Sequence, residues 1–213
     1  MDYSQKIAQA LLHIGAVGFC VENPITFTSG MKAPVYVDNR KFPFWAEQWR
    51  VVIEGFMQKI RDGGIDFDVI AGIETAAIPH SSALAYVLQK PSVFVRKKPK
   101  EHGTKSKIEG GDVQGKRVLL VEDLVTTGQS SLAGVEALRA AGAVVEDCSV
   151  IVTYGFKEAM EAFRQAKVRL HALTSFSAIL TEAVRQGVLS GDGKAIVEDW
   201  LAEPHGWAER SGP

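Results

Sequence analysis

The sequence predicts an α/β protein with a mainly parallel central sheet flanked by helices. Three observations predict this class: apolar runs of strand length alternate with helical stretches, glycine and proline separate many of them, and 213 residues suffice for one sizeable core. Strands that alternate with helices are joined by right-handed crossovers, so we expect them to be parallel. We expect a single domain over 1–213, with a helix and a hood of short strands over about 1–45, an α/β core over 46–176 and a helical tail over 177–213.

The N-terminal part predicts one helix followed by short strands. Ile7 and Leu11 recur at helical spacing between Ser4 and Gly15, and Ser4 is the expected N-cap residue. The segment FTSGMKAPVYVDNRKF then alternates apolar and polar residues around a glycine and a proline, which predicts the short strands of the hood.

The core predicts alternating strands and helices. A long helix is expected in PFWAEQWRVVIEGFMQKIRDGG, where two glycines end it. Strands are then expected in DFDVIAGI, PSVFVRK, RVLLV, AVVEDCSVIVTYG and VRLHALTSF, and helices in AIPHSSALAYVLQ, SSLAGVEALRAAGA and KEAMEAFRQAK. Residues 98–114 show no periodicity, and the tail from Ser177 onward is mostly helical in pattern.

Composition excludes several classes of function. The net charge of −1 gives no overall basic surface for nucleic acid. The start of the chain lacks the basic and apolar regions of a signal peptide, and no apolar run approaches the roughly 18 residues of a membrane helix. Cys20 and Cys148 are isolated from each other and from histidine at ligand spacing, which is typical of a reducing compartment. We therefore expect a cytoplasmic protein with neither nucleic acid nor membrane as a partner.

The stretch VLLVEDLVTTGQSS carries the chemistry of the predicted site. Glu122 and Asp123 stand at the end of an apolar strand, where doubly wound sheets bind their ligands. Residues 126–130 supply hydroxyls, a glycine and the backbone N–H groups of a helix start, which suit a phosphate monoester. A ligand with both a polyol and a phosphate, such as ribose 5-phosphate, fits both features. The alternative is a solvated acidic turn before an N-capped helix.

This stretch resembles the phosphoribosyl pyrophosphate (PRPP) signature of the type I phosphoribosyltransferases. The resemblance implies their fold, in which a central mainly parallel sheet is flanked by helices, here with the N-terminal hood and a C-terminal helical extension. It also implies that PRPP is bound by the signature residues Glu122, Asp123, Leu124, Val125, Thr126, Thr127, Gly128, Gln129 and Ser130.

A basic stretch within the aperiodic segment narrows the resemblance. Cations, glycines and a histidine in a long loop suit a lid that neutralises a departing diphosphate, although basic loops are often simply solvated. The spacing of Arg96, Lys97, Lys100 and His102 resembles the catalytic loop of the orotate phosphoribosyltransferases. That resemblance implies that these four residues bind PRPP, that Lys100 and His102 are catalytic together with Glu122 and Asp123, and that the loop 96–114 completes active sites shared in a homodimer.

The hood extends this resemblance to the base. Tyr36, Val37 and Thr126 match the family's contacts to orotate, and GIETAAIPHSSALA matches its diphosphate-binding turn. The implied reaction transfers ribose 5-phosphate from PRPP to N1 of orotate, which forms orotidine 5′-monophosphate and diphosphate in the synthesis of UMP. Mg²⁺ is the implied cofactor, carried mainly on PRPP without a direct protein ligand.

The sequence departs from the family at three places. Thr28 stands where many members have lysine before the Ser-Gly pair, and Thr75-Ala76 stands where some have Tyr-Lys. The strand that often ends in Asp-Arg reads VTYGF here and carries no arginine. The partner of the orotate carboxylate is therefore open, and the hood offers three candidates: Lys32, Arg40 and Lys41.

Two other functions stay open on the sequence. A related enzyme acting on a purine or xanthine shares the PRPP signature, but the basic loop favours orotate. A non-catalytic PRPP-sensing regulator also shares it, but such proteins add a nucleic-acid surface for which the first 30 residues leave little room.

Overall fold

The computed structural model describes residues 2–27, 30–97 and 107–210. Its helices are Tyr3–His13 (α1), Ala46–Asp62 (α2), Ala77–Leu88 (α3), Gln129–Ala140 (α4), Lys157–Gln165 (α5), Phe176–Arg185 (α6), Gly191–Ala202 (α7) and Trp207–Arg210 (α8), with a 3₁₀ helix at Asn39–Phe44. Its strands are Val17–Phe19 (β1), Ile25–Thr26 (β2), Lys32–Ala33 (β3), Val35–Val37 (β4), Val69–Ile73 (β5), Ser92–Val95 (β6), Ile108–Glu109 (β7), Arg117–Val125 (β8), Val144–Thr153 (β9) and Arg169–Ser175 (β10).

The core is a six-stranded sheet in the order β10-β9-β8-β5-β6-β7. The β6 and β7 strands pair antiparallel, and every other neighbouring pair is parallel. All five residues of β5 are buried, because helices cover both faces of a parallel sheet. The predicted class, a mainly parallel sheet flanked by helices, is confirmed.

The hood consists of two antiparallel pairs, β1 with β4 and β2 with β3. It is fastened to the core by the 3₁₀ helix that follows β4. Phe42 in this helix is fully buried, and its ring lies 6.2 Å from that of His80 in α3. The hood is therefore held over the sheet by packing.

The tail folds back onto the hood. Trp200 of α7 is fully buried, and its Nε1 donates a hydrogen bond to the carbonyl oxygen of Lys32 at 3.0 Å. Trp207 of α8 is also buried. None of the described helices combines the length and the apolar character that crossing a membrane requires.

Several predicted boundaries were wrong. The α1 helix is capped by Asp2, whose carboxylate accepts from the N–H of Gln5 at 2.9 Å, whereas the Ser4 hydroxyl lies 3.0 Å from that of Thr174. Extended backbone at Asp2 places its carboxylate over the free N–H groups of the first turn, so the helix starts earlier.

The observed limits of three further elements also differ from the predicted ones. The β8 strand does not stop before the acidic pair but continues through Val125, because Glu122 and Leu124 lie in register with Val150 and Val152 of β9. The predicted aperiodic stretch contains β7, which forms its ladder with β6. Gln129, placed before the next helix by the sequence, is the first residue of α4.

Candidate active site

A cavity of about 430 Å³ opens between the hood and the carboxyl ends of β8 and β9. Tyr36, Val37, Leu124 and residues 126–130 line it, so the structure brings together most of the residues predicted for the phosphate and the base. The position of this cavity agrees with the rule that open parallel sheets bind ligands beyond the carboxyl ends of their strands.

The turn after β8, which the sequence predicts to bind phosphate, lines the cavity. Gly128 is the N-cap residue of α4 and has a φ of +82°, a left-handed conformation that glycine adopts without strain. A Cβ atom at this position would lie 3.0 Å from Cε2 of Phe163. Because the first N–H groups of a helix lack intrahelical acceptors, residues 128–130 offer free donors to an anion.

Glu122 and Asp123 lie within β8, behind the turn. The Glu122 side chain is 4% exposed, and Ser131 Oγ, on the cavity wall, lies 3.3 Å from Glu122 Oε2. Burial and the adjacent Asp123 carboxylate raise the pKa of Glu122 to about 8, and burial also raises the pKa of Asp123. Donor hydroxyls or a cation brought by a ligand would stabilise both charges at this poorly solvated position.

Asn39 joins the hood to the acidic pair. Its side chain is fully buried, and Nδ2 donates a hydrogen bond to the carbonyl oxygen of Asp123 at 2.8 Å. Sequence reasoning missed this residue. The only signal is its place directly after the predicted hood strand in VDNR, and this place does not indicate which polar side chain turns inward.

The three hood cations differ in how they relate to the cavity. Lys41 Nζ donates to the carbonyl oxygen of Gly15 at 2.6 Å. Lys32 lines a neighbouring cavity of about 530 Å³, which α8 helps to form. The third, Arg40, connects to the main cavity because its Nη2 donates to the hydroxyl of Tyr36 at 2.9 Å.

The base of the predicted basic loop is fastened to the sheet edge. The backbone N–H of Lys97 donates to Glu74 Oε2 at 2.9 Å, which ties the loop to the predicted diphosphate turn. The guanidinium of Arg96 lies 3.6 Å from the carboxylate of Glu109 in β7. Arg96 and Lys97, both predicted to bind PRPP, therefore lie directly after β6 and outside the lining of the main cavity.

Among the described residues, Glu122, Asp123 and Val125 are predicted site residues that do not line the cavity. Lys100 and His102 lie outside the described residues, so their roles stay predictions. Val125 is fully buried, and its carbonyl oxygen accepts a hydrogen bond from the N–H of Tyr154 at 3.1 Å. That bond fixes the start of the loop after β9 against the end of β8.

Aromatic side chains that the sequence did not assign also line the cavity. Tyr154 and Phe27 both line the cavity, with ring centroids 6.2 Å apart. Behind them, Phe176 and Trp200 lie 5.1 and 5.2 Å from the Tyr154 ring. The available signal for Tyr154 was its position directly after a core strand, at the ligand-binding end of the sheet.

Comparison with known proteins agrees with this geometry. The family described as phosphoribosyl transferase domain matches residues 47–173, more than half of the chain. Orotate phosphoribosyltransferase from Coxiella burnetii is 38% identical over 207 residues, which cover 97% of this chain and 99% of that protein. The protein of the same name from Listeria monocytogenes serotype 4b is 34% identical over 209 residues, covering 98% and 100%.

Solved structures give the same result. Orotate phosphoribosyltransferase from Aeropyrum pernix superposes with a TM-score of 0.74 at 29% identity, covering 86% of this chain and 99% of that one. UMP synthase from Leishmania donovani superposes with a TM-score of 0.81 at 27% identity over 94% of this chain, which spans 42% of that longer protein. The chain therefore belongs to the orotate phosphoribosyltransferase family and has the type I phosphoribosyltransferase fold.

Proposed function

We propose that the protein transfers ribose 5-phosphate from PRPP to N1 of orotate, forming orotidine 5′-monophosphate and diphosphate in the synthesis of UMP. One observation carries the assignment for this member of the family. A single cavity is lined both by the helix-start turn 126–130, which follows the two carboxylates of β8, and by aromatic residues of the hood. The turn suits a phosphorylated sugar, and the aromatic residues suit a planar base.

The reaction proceeds by breaking the bond between C1 of the ribose and the diphosphate while N1 of orotate forms its bond to C1. Residues 126–130 hold the 5-phosphate, which fixes the ribose across the end of β8. Glu122 and Asp123 accept from the ribose hydroxyls and stabilise the positive charge that develops on the ring as the diphosphate departs. Positioning and electrostatics suffice for this chemistry, and no nucleophilic side chain is needed.

Mg²⁺ is the proposed cofactor, and the donor set fits it. Mg²⁺ prefers oxygen ligands and is usually bound through one or two carboxylates together with substrate phosphates. Asp123 and Glu122 are carboxylates near the end of β8, next to Leu124 of the cavity lining, and they would help to hold the ion through the ribose hydroxyls. When bound, the ion supplies charge that stabilises the diphosphate leaving group.

A spectrophotometric assay of orotate consumption tests the proposed function. Consumption that requires PRPP and increases with Mg²⁺ is expected. Adenine, hypoxanthine and xanthine serve as competing bases in parallel reactions. Turnover of a purine in place of orotate, or no consumption with or without Mg²⁺, contradicts the proposal.

Gly128→Ala is expected to raise the KM for PRPP by about 10- to 100-fold. The left-handed backbone costs an alanine about 1–2 kcal/mol, and the new methyl group meets Phe163 at 3.0 Å. The turn then shifts away from the geometry that binds phosphate. Initial rates at varied PRPP measure the effect. Gly115→Ala is the matched control, since Gly115 also has a positive φ of 70° but lies outside the cavity. Equal KM values in the two variants contradict the prediction.

We further propose a homodimer in which the loop 96–114 of each protomer completes the active site of the other. The fastening of Arg96 and Lys97 at the sheet edge supports this proposal, because the loop leaves the core outside the cavity that its own protomer forms. Sedimentation velocity measures the assembly state.

Subunit mixing tests the sharing of sites. A Lys100→Ala variant and a Glu122→Gln/Asp123→Asn variant are each expected to be inactive. Mixed in equal amounts and allowed to exchange, they are expected to recover about a quarter of wild-type activity, because half of the dimers then contain one intact site. Lack of recovery in a sample that has exchanged subunits contradicts shared sites.

We also propose that the protein works in the cytoplasm. The two cysteines, Cys20 and Cys148, are both free thiols, as is usual in a reducing compartment. Fractionation of the cells that make the protein, with activity as the readout, tests this location.

A further inference from the structure

The hydroxyl of Tyr154 is a buried polar group that the described structure leaves unsatisfied, on a residue that lines the cavity. The residue is 4% exposed, it lines the cavity, and its hydroxyl makes no hydrogen bond with any described residue. Burial of an unpaired hydroxyl is costly, and native proteins rarely keep one without a reason. Rings on several sides, those of Phe156, Phe176 and Trp200, fix the side chain in this place.

Tyr36 of the hood is a second tyrosine that lines this cavity. Its oxygen accepts from Arg40 Nη2 at 2.9 Å, so its own hydrogen is available to donate. Arg40 is held in turn by Asp38, whose Oδ1 lies 2.6 Å from Arg40 Nε. The positive guanidinium therefore polarises the hydroxyl of Tyr36 towards donation.

We propose that the hydroxyls of Tyr154 and Tyr36 together bind the carboxylate of orotate, with Arg40 supplying positive charge through Tyr36. This inference rests on the proposed function and names the residues that determine its base specificity. The orotate carboxylate is thus bound by two neutral hydroxyl donors, with the charge of Arg40 nearby. The β9 strand, which ends just before Tyr154, has no arginine at its end to take this role.

Three observations favour the carboxylate as the acceptor. Residues 126–130 are assigned to the phosphate, which leaves the two tyrosines among the cavity residues available to the base. Lys41 is bonded to Gly15 and Lys32 lines an adjoining cavity that shares Thr127 and Gln129 with the main one, whereas Arg40 bonds directly to Tyr36 of the main cavity. Burial and the nearby Tyr36 raise the pKa of Tyr154 above its ordinary value, so its phenol keeps the proton that a carboxylate requires.

The test compares Tyr154→Phe and Tyr36→Phe with the wild-type protein and with Tyr86→Phe as the matched control. Tyr86 lies on α3 and is 85% exposed. Titration calorimetry measures the Kd of orotidine 5′-monophosphate, which carries the carboxylate, and of uridine 5′-monophosphate, which lacks it. In each of the two cavity variants we expect binding of the first to weaken by about 10-fold or more, because hydrogen bonds to charged groups are the stronger class. Binding of the second changes less than threefold, by the same reasoning.

Thermal unfolding without ligand separates this role from a structural one. Since the Tyr154 hydroxyl has no partner to lose, Tyr154→Phe is expected to unfold at the wild-type temperature or above it. A clear loss of stability would mean that the hydroxyl serves the fold and would overturn the proposal. Equal weakening of both nucleotides, or unchanged binding of both, would also overturn it. Failure of the wild-type protein to consume orotate is a separate result, which contradicts the proposed function itself.

Discussion

A Glu122→Gln/Asp123→Asn double variant is expected to fold and to lose turnover by at least about a thousandfold. Both substitutions keep the size of the side chain and remove its charge. In the proposed mechanism the carboxylates accept from the ribose hydroxyls, so their loss removes the negative field that stabilises the charge developing on the ring. Initial rates with saturating PRPP and orotate measure this effect. Turnover near the wild-type level would remove the acids from the mechanism.

The pH dependence of stability provides the control for folding of this variant. The pKa of folded Glu122 is raised from 4.5 to about 8, so between these values the folded protein keeps a proton that the unfolded chain releases. Glu122 therefore costs the wild-type protein stability as the pH rises through this window, by up to about 1.4 kcal/mol per pH unit. Urea unfolding is expected to show the double variant gaining stability relative to wild type from pH 5 to pH 8. A constant difference would contradict a buried, proton-holding Glu122.

Trp200→Ala is expected to lower the free energy of unfolding by about 3–5 kcal/mol, the usual range for truncating a fully buried tryptophan. The ring is 0% exposed and packs edge-on against Tyr154 and Phe156, at 5.2 and 5.4 Å. The substitution also removes the hydrogen bond from Nε1 to Lys32 that ties the tail to the hood. Because Tyr154 forms the cavity wall, the KM for orotate is expected to rise as well.

Urea unfolding of Trp200→Ala beside Trp45→Ala tests this prediction. Trp45 is 39% exposed at the start of α2, so the same truncation there is expected to cost less than about 1.5 kcal/mol. A Trp200→Phe variant keeps most of the apolar packing and is expected to fall between the two. Similar losses at both tryptophans would show that the tail is not anchored by Trp200.

Much of the fold was predictable because its signals are local. The spacing of apolar residues along α2 and the apolar run of β5 indicate which faces of these elements are buried. The alternation of strands and helices along the chain then restricts the possible sheet topologies. The phosphate turn was predictable for the same reason. Its hydroxyls, Gly128 and the helix start are contiguous in the chain, so their arrangement depends on a few backbone angles.

The sequence by itself determined the class of fold, the position of the turn after the acidic pair and, through the basic loop, the orotate phosphoribosyltransferase family. Tertiary structure alone decided how the base side is built. Asn39 reaches Asp123 across 84 residues, and Trp200 reaches Lys32 across 168. The direction of Arg40 towards Tyr36, with Lys41 turned to Gly15, is likewise a result of packing. A one-dimensional pattern records burial and spacing, whereas these contacts arise only when the hood, the sheet ends and the tail close on one another.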